Sequence, residues 1–361
     1  MVTQATDTGL AVADQVRRET ERTIERALRS TDVLLGRNDP QVGLTPKDVV
    51  YERGTMRLYR YRPMVDEVYR VPVLIIMSLI SKSYIFDLVP GQSFVEYLLK
   101  QGFDVFMLDW GVPRPEDHKL QLEDYVLDLM PRCVEEVQEV TGEQEFSFLG
   151  YCMGGLFALM YGGVFPEAPL KNLACVATPV DFEEMGLLHR LADPRWFDVD
   201  RIVDTLGNIP ADMVSASLEI LRPLDRLLGY IRLWDNLWDN DYVYNWRVRY
   251  KWLNDQIPFP GECYRQITKE LMWGNKLMRG GLTLGGRPVD LQRVTCAVLH
   301  VMAEHDHIAP YKAARPLTSI VGSTDKQDLA LKGGHVSLLA GGNAFLRLWP
   351  TVNEWLSVRS V

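Results

Sequence analysis

The sequence lacks an apolar run long enough to cross a membrane as a helix. Its most apolar stretch, residues 71–80, is far shorter than the roughly 18 to 20 residues that a spanning helix needs. Residues 1–30 show neither the basic and apolar regions of a signal peptide nor a small-residue cleavage site. We therefore expect a soluble, cytoplasmic protein with no transmembrane segment.

Cysteine is scarce and irregularly spaced. The chain has five cysteines, an odd number without C-x-x-C spacing, which argues against a disulfide framework and a zinc site. We expect all five to be reduced, and Cys133, Cys175, Cys263 and Cys296 to be small buried apolar residues. Cys152 differs from them in its neighbours.

Positive charge is also in short supply. There are 39 Lys and Arg residues against 48 Asp and Glu, a formal net charge of -9. No Lys/Arg stripe with interleaved aromatic residues is present, so nucleic acid is not an expected partner. The glycines of residues 279–287 lack the Lys-Ser/Thr of a phosphate-binding loop, and we predict no bound cofactor.

Short apolar segments alternate with segments of helical length. After a predicted pair of strands around a turn at 49–61, the segments rich in β-branched and aromatic residues are typical of buried parallel strands. They are 71–80, 103–110, 145–150, 173–178, 295–303 and 328–334. Strand and helix alternation predicts an α/β fold with a mostly parallel, doubly wound sheet.

The alternation stops near Asp181 and resumes near Val294, which predicts an insertion. The intervening stretch is dense in Trp and Tyr, and we interpret residues 182–290 as a mainly helical cap (lid) subdomain over the site. Most of its aromatic residues are expected to form the core of the cap. The catalytic core then comprises 41–181 and 291–361, and residues 1–40 are predicted to form a helical arm, packed on the surface or docking a partner.

The segment around Cys152 has the form of a nucleophile elbow. An apolar strand is followed by Gly150-Tyr151-Cys152-Met153-Gly154-Gly155 and then by a helix of small and apolar residues. The turn is so tight that Gly150 and Gly154 are needed to avoid collisions. The start of a helix favours the thiolate of Cys152, and the Met153 N–H is predicted to be one oxyanion donor.

Two later loops supply partners in the chain order of the α/β-hydrolase fold. Asp306 follows the strand that ends at Met302, and His335 follows the next strand and two glycines. His335 is predicted to act as the general base, while Asp306 fixes its tautomer and stabilises the imidazolium. Glu304 is the alternative to Asp306. The second oxyanion donor is expected in the loop after the strand at 71–80, from Ile80 or Ser81.

A metal site is the alternative interpretation of the polar cluster near the end of the chain. Its members are His300, Glu304, His305, Asp306 and His307. No helical His or Cys motif accompanies them, and the elbow already explains why a carboxylate is needed here. We predict no metal site.

The sequence resembles the poly(hydroxyalkanoate) synthases, specifically the short class III type, from about residue 45 to the C-terminus. Cys152, Asp306 and His335 coincide with the catalytic Cys, Asp and His of that family. Ser81 stands where relatives often have Asn. The segments that carry the resemblance are 84–111, the elbow GYCMGG, 245–262, 275–291, and the loops AEHDHIAP and GGHVSLLAG.

The resemblance implies polymerisation of (R)-3-hydroxyacyl-CoA, typically 3-hydroxybutyryl-CoA, into an intracellular polyester with release of CoA. Cys152 would carry the growing chain as a thioester, and His335 or Asp306 would activate the substrate 3-hydroxyl. It also implies a companion synthase subunit, a homodimer and a location at the surface of the polymer granule. The alternatives are a Cys thioesterase or intracellular polyester depolymerase of the same fold, and a granule scaffold without catalysis.

Overall fold

The computed structural model describes residues 14–28, 30, 39–342 and 344–361. These divide into two compact units. The larger unit is Gly43–Leu221 with Asn254–Val361. The smaller is Met1–Val42 with Arg222–Leu253, and within it residues 1–13, 29 and 31–38 lie outside the described residues, as does part of the predicted 1–40 arm.

The larger unit is built around a sheet of eight strands in the order β1-β2-β4-β3-β5-β6-β9-β10. The six strands from β4 to β10 run parallel, whereas β1 and β2 add to the β4 edge in antiparallel fashion. The strands are β1 Lys47–Arg53, β2 Met56–Tyr61, β3 Val73–Ile76, β4 Val105–Asp109, β5 Phe146–Tyr151, β6 Leu170–Val176, β9 Ala297–Ala303 and β10 Lys326–Leu331. Each overlaps a predicted strand, so the α/β prediction is confirmed.

Helices follow the strands as the sequence pattern predicts. Strands β3 and β5 are buried along their whole length, which is why they contain continuous apolar runs instead of alternating ones. The helices that flank the sheet are α2 Phe94–Lys100, α3 Met130–Thr141, α4 Met153–Val164, α12 Tyr311–Ala314, α13 Leu317–Ile320 and α14 Trp349–Ser357. Helix α3 continues a π-helical turn, Asp124–Leu129, and the change falls beside Pro131, which cannot donate a backbone hydrogen bond.

Between β6 and β9 the chain is mainly helical, as predicted for 182–290. The helices are α5 Leu187–Leu191, α6 Val199–Leu206, α7 Ala211–Glu219, α8 Asp225–Asp235, α9 Asn240–Asn254, α10 Gly261–Gln266 and α11 Lys276–Arg279, followed by the hairpin of β7 Thr283–Leu284 and β8 Arg287–Pro288. The division into two units cuts through this stretch, because 222–253 belongs to the smaller unit. Its role as a cap stays a prediction.

The smaller unit has a small buried cluster of aliphatic residues, with partly buried aromatic residues around it. Residues 14–28 form helix α1, and the Arg22 guanidinium of this helix lies 4.5 Å from the ring centre of Trp238. Trp246 stacks on Tyr250 with ring centres 4.4 Å apart, and Trp246 also packs against a buried cluster of Leu233, Leu237 and Val243. Trp246 and Tyr250 thus pack on each other but are only partly buried, and their place in the core of a cap stays a prediction. No helix among the described residues is long and apolar enough to span a membrane.

Candidate active site

Cys152 lies at the junction between β5 and α4. Its φ of 55° and ψ of -118° fall in a region that L-residues rarely adopt. Such a conformation costs on the order of 1–3 kcal/mol and persists only where the surroundings enforce it. Here the Cys152 N–H donates to the Val176 carbonyl (2.8 Å), and the Cys152 carbonyl accepts from the Gly155 N–H (3.1 Å). The backbone of Cys152 is therefore strained, and its partly exposed thiol lies at the carboxyl edge of the sheet.

The glycines around Cys152 are required by close backbone contacts. A Cβ on Gly154 would lie 2.0 Å from the carbonyl oxygen of Ile76, and one on Gly150 would lie 2.5 Å from the Gly155 Cα. The first contact brings the start of α4 against the end of β3. A Cβ on Gly155 would lie 1.9 Å from the Thr178 hydroxyl, a constraint on this second glycine that the sequence pattern did not reveal.

Asp306 and His335 lie together at the same edge. Asp306 follows β9, His335 follows β10, and the two strands are adjacent and parallel. The His335 Nδ1 atom lies 2.7 Å from Asp306 Oδ2, and both side chains are buried. The other carboxylate oxygen, Oδ1, accepts the Ile308 and Ala309 N–H groups, each at 2.8 Å. Glu304 is exposed, so the structure pairs Asp306, not Glu304, with the imidazole.

The imidazole of His335 bridges Asp306 and Cys152. Burial lowers its pKa, but the charges of the Asp306 carboxylate and the Cys152 thiolate, together with hydrogen bonds to both side chains, raise the pKa to about 10. Because Nδ1 is hydrogen-bonded to Asp306, Nε2 is the ring nitrogen left to bond Cys152. The arrangement can hold a proton beside the sulfur and deliver it to a leaving group.

Tyr151 is a neighbour of His335 that sequence reasoning missed. Its ring centre lies 4.9 Å from that of the imidazole, and its hydroxyl donates to the His335 carbonyl at 3.4 Å. Burial, first, and the charges of Cys152 and Asp306 raise the pKa of the phenol well above its usual value, so it remains a donor. The alternation of side chains along β5 could have placed Tyr151 on one face, but not against this ring.

The predicted oxyanion donors lie on two elements that meet at the elbow. Met153 is the first residue of α4, a position at which a backbone N–H has no partner within the helix. Ile80 and Ser81 lie in the loop after β3, whose start is held by a hydrogen bond from Trp110 Nε1 to the Met77 carbonyl (2.7 Å). The Ile80 carbonyl accepts the Ile257 N–H at 3.2 Å.

The polar cluster considered as a metal site is divided between two places. His300 is buried in β9 and pairs through Nδ1 with Asp328 Oδ1 (3.2 Å), while Asp306 faces His335. Across the described ranges, no three His, Cys, Asp or Glu side chains are arranged to hold a metal ion.

The remaining cysteines are free thiols. Cys133, Cys175 and Cys263 are buried as predicted, whereas Cys296 is only partly buried, which corrects the prediction for that residue. Burial raises the pKa of Cys133 and of Cys296 to about 12, and it raises those of Cys175 and Cys263 further. None of the four carries a thiolate at neutral pH.

Family models and solved structures confirm the fold. The model of the α/β hydrolase fold matches residues 71–341, and that of the poly-beta-hydroxybutyrate polymerase (PhaC) N-terminus matches residues 9–98. A putative lipase from Sulfolobus solfataricus superimposes with a TM-score of 0.56 at 16% identity, covering 87% of this chain and 99% of that one. A monoacylglycerol lipase from Paleococcus ferrophilus gives 0.54 at 18% identity, with 84% and 99% covered. At such identities the likeness shows the fold alone.

Curated relatives are similar over nearly the whole chain. The poly(3-hydroxyalkanoate) polymerase subunit PhaC of Allochromatium vinosum is 37% identical, over 90% of this chain and 92% of its own length. The proteins of the same name from Synechocystis sp. and Haloferax mediterranei are 35% and 34% identical over 93% of this chain, and over 91% and 69% of their own lengths. The chain therefore belongs to the poly(3-hydroxyalkanoate) polymerase family.

Proposed function

We propose that this protein polymerises (R)-3-hydroxyacyl-CoA, with 3-hydroxybutyryl-CoA as the expected substrate, into poly(3-hydroxyalkanoate) with release of CoA. One observation carries the proposal: a cysteine, instead of a serine, occupies the strained elbow and is hydrogen-bonded to the His335–Asp306 pair. The curated relatives are poly(3-hydroxyalkanoate) polymerases by name, which supports the same activity.

In the first half-reaction, the Cys152 thiolate attacks the thioester carbonyl of the substrate. The negative charge that develops on the carbonyl oxygen is stabilised by the Met153 N–H and by Ile80 or Ser81. The tetrahedral intermediate collapses by breaking the bond to the CoA sulfur, which takes the proton from His335. The products are free CoA and an acyl group bound to Cys152 as a thioester.

In the second half-reaction, the 3-hydroxyl of another acyl unit attacks the Cys152 thioester. His335, or Asp306, removes the hydroxyl proton, an oxygen ester forms and the sulfur of Cys152 leaves as a thiolate. A thiol suits this cycle because exchange of an acyl group between two sulfur atoms is nearly isoenergetic. The acyl-enzyme therefore keeps enough free energy to acylate an alcohol.

The assay for this function measures two products from one substrate. Purified protein given (R)-3-hydroxybutyryl-CoA is expected to release CoA and to form insoluble polyester, and Cys152→Ala is expected to abolish both. Cys296→Ala, which changes a half-buried thiol elsewhere, is expected to retain both and serves as the matched control. Release of CoA with only free 3-hydroxybutyrate would instead identify a thioesterase.

The assembly implied by the family is part of the same proposal. The relatives are named as polymerase subunits, which supports a companion synthase subunit for this chain. We propose that the protein acts as a homodimer at the surface of a polymer granule in the cytoplasm, with residues 182–290 serving as the cap. Light scattering of the purified chain with and without its companion, together with granule fractionation, tests these statements.

A further inference from the structure

The loop after β3 is hydrogen-bonded to a segment that leads from the inserted helices back to the larger unit. This return segment, residues 255–259, follows directly after α9 in the chain and lies wholly in the larger unit. It forms an isolated antiparallel bridge in which Gln256 faces Ser81. The Ile257 N–H donates to the Ile80 carbonyl, and Ile257 is buried. The contact therefore falls on the two residues predicted to supply an oxyanion donor.

A side-chain hydrogen bond reinforces the bridge. The Tyr84 hydroxyl lies 3.0 Å from Asp255 Oδ2, and Tyr84 belongs to the short 3-10 turn that ends the loop. The far end of the return segment is itself anchored, because Phe259 and Ile209 exchange two backbone hydrogen bonds of 2.9 and 2.8 Å. The loop is thus fastened to a segment that is fixed elsewhere in the core.

The hydrogen-bond pattern of the bridge determines the direction of the Ser81 N–H group. In an antiparallel pair, a bond between the flanking residues Ile80 and Ile257 leaves Ser81 and Gln256 as a non-hydrogen-bonded pair. The Ser81 N–H is consequently directed away from the return segment and not consumed by it. The start of the loop is held against the elbow, since the Ile76 carbonyl abuts Gly154.

We propose that the return segment positions the loop after β3, which contains the predicted oxyanion donors Ile80 and Ser81. Tyr84 and Asp255 are the positioning residues. This inference rests on the proposed function, since it assigns a role within acyl transfer. An oxyanion donor must lie within hydrogen-bond distance of the developing negative charge, and a displacement of about 1 Å costs on the order of a hundredfold in rate. The bridge and the Tyr84–Asp255 bond restrain the loop against such a displacement.

The test separates acyl transfer from thiolate formation. Alkylation of Cys152 by iodoacetamide needs the thiolate but no oxyanion donor, whereas CoA release from 3-hydroxybutyryl-CoA needs both. Tyr84→Phe and Asp255→Ala are expected to lower the single-turnover rate of CoA release about tenfold or more, with KM little changed and alkylation within about twofold of wild type. The double variant is expected to release CoA no more slowly than the slower single variant, because both substitutions remove the same hydrogen bond.

The matched control is Tyr97→Phe, which removes a hydrogen bond between Tyr97 in α2 and Asn353 in α14. It is expected to leave both rates unchanged. Unchanged CoA release in Tyr84→Phe and Asp255→Ala, or alkylation that falls in parallel with CoA release, would overturn the positioning role. A wild-type protein that releases no CoA would instead refute the proposed function, so the two failures are distinguishable.

Discussion

At the scale of single residues, His335 is held between two negative charges. The Asp306 carboxylate lies on one side of the imidazole and the Cys152 thiolate on the other, and the ring is almost fully buried. Burial alone would favour the neutral ring, but the two charges and their hydrogen bonds outweigh it. His335 is hydrogen-bonded to both side chains, so it couples Asp306 to Cys152.

The first prediction concerns Asp306→Asn. Loss of the carboxylate charge lowers the pKa of His335, so the imidazole stays protonated over a narrower pH range. A hydrogen bond to a charged group contributes about 1.5–3 kcal/mol, or about one to two pKa units, so we expect the alkaline end of the Cys152 alkylation profile to move to lower pH by that amount. The measurement is the alkylation rate from pH 5 to 10.

Asp328→Asn is the matched control for this prediction. Asp328 also pairs with a buried histidine, His300, but on a different part of β9 and β10. Its alkylation profile is expected to coincide with that of wild type. An Asp306→Asn profile that coincides as well would show that the carboxylate does not control the thiolate.

The second prediction concerns Tyr151→Phe, which removes one hydroxyl and keeps the ring against His335. The lost bond to the His335 carbonyl is long, so we expect a loss of about 1 kcal/mol, or roughly fivefold in kcat, with KM unchanged. Tyr161→Phe alters another buried tyrosine, in α4, and is expected to leave kcat intact. Equal kcat values for the two variants would show that the Tyr151 hydroxyl does not contribute to the reaction.

The sequence predicts the position of residues whose placement depends on chain order. Cys152, Asp306 and His335 each follow a recognisable strand, and the order of those strands predicts that the three meet at one edge. Tyr151 escaped because its role depends on the distance between two side chains from distant parts of the chain. No periodicity records such a distance.

At the scale of elements, the elbow is a contact between three backbones. The start of α4 lies against the end of β3, where a Cβ on Gly154 would collide with the Ile76 carbonyl oxygen. Strand, turn and helix were all predictable from the alternation of apolar and small residues around Cys152. The return segment was not, because residues 255–259 form only isolated bridges and carry no strand pattern of their own.

The third prediction tests the elbow through Gly154→Ala. The added Cβ would lie 2.0 Å from the Ile76 carbonyl oxygen, so either α4 or the end of β3 must move. We expect a loss of about 1–3 kcal/mol in the free energy of unfolding and at least a tenfold loss of CoA release. Urea unfolding and the CoA assay measure the two effects.

Gly229→Ala is the matched control, because a Cβ at Gly229 in α8 meets nothing within 4 Å. Replacing a helical glycine by alanine there is expected to stabilise the helix by up to about 1 kcal/mol. A Gly154→Ala protein with wild-type stability and activity would show that the elbow can accommodate a Cβ at this position.

At the scale of the whole molecule, the sheet brings together side chains that are far apart in sequence. Cys152, Asp306 and His335 come from three separate loops, and the parallel order β5-β6-β9-β10 delivers all three to one edge. The sequence predicted this core and the helical insertion at 182–290. It did not predict that 222–253 would belong to a different compact unit from the rest of the insertion, because that grouping depends on contacts between segments far apart in the chain.

The last prediction links the site to the stability of the whole chain. The pKa of His335 is about 10 in the folded protein and near 6.5 in the unfolded chain, so between these values the folded state binds more protons. Its contribution to the free energy of unfolding is therefore fully present below about pH 6.5 and is lost as the pH rises toward 10. His335→Gln removes this titration, so the free energy of unfolding is expected to fall less steeply between pH 7 and 10 than in wild type. Urea unfolding at a series of pH values measures the two slopes, and identical slopes in wild type and His335→Gln would show that the imidazole is not protonated in the folded protein.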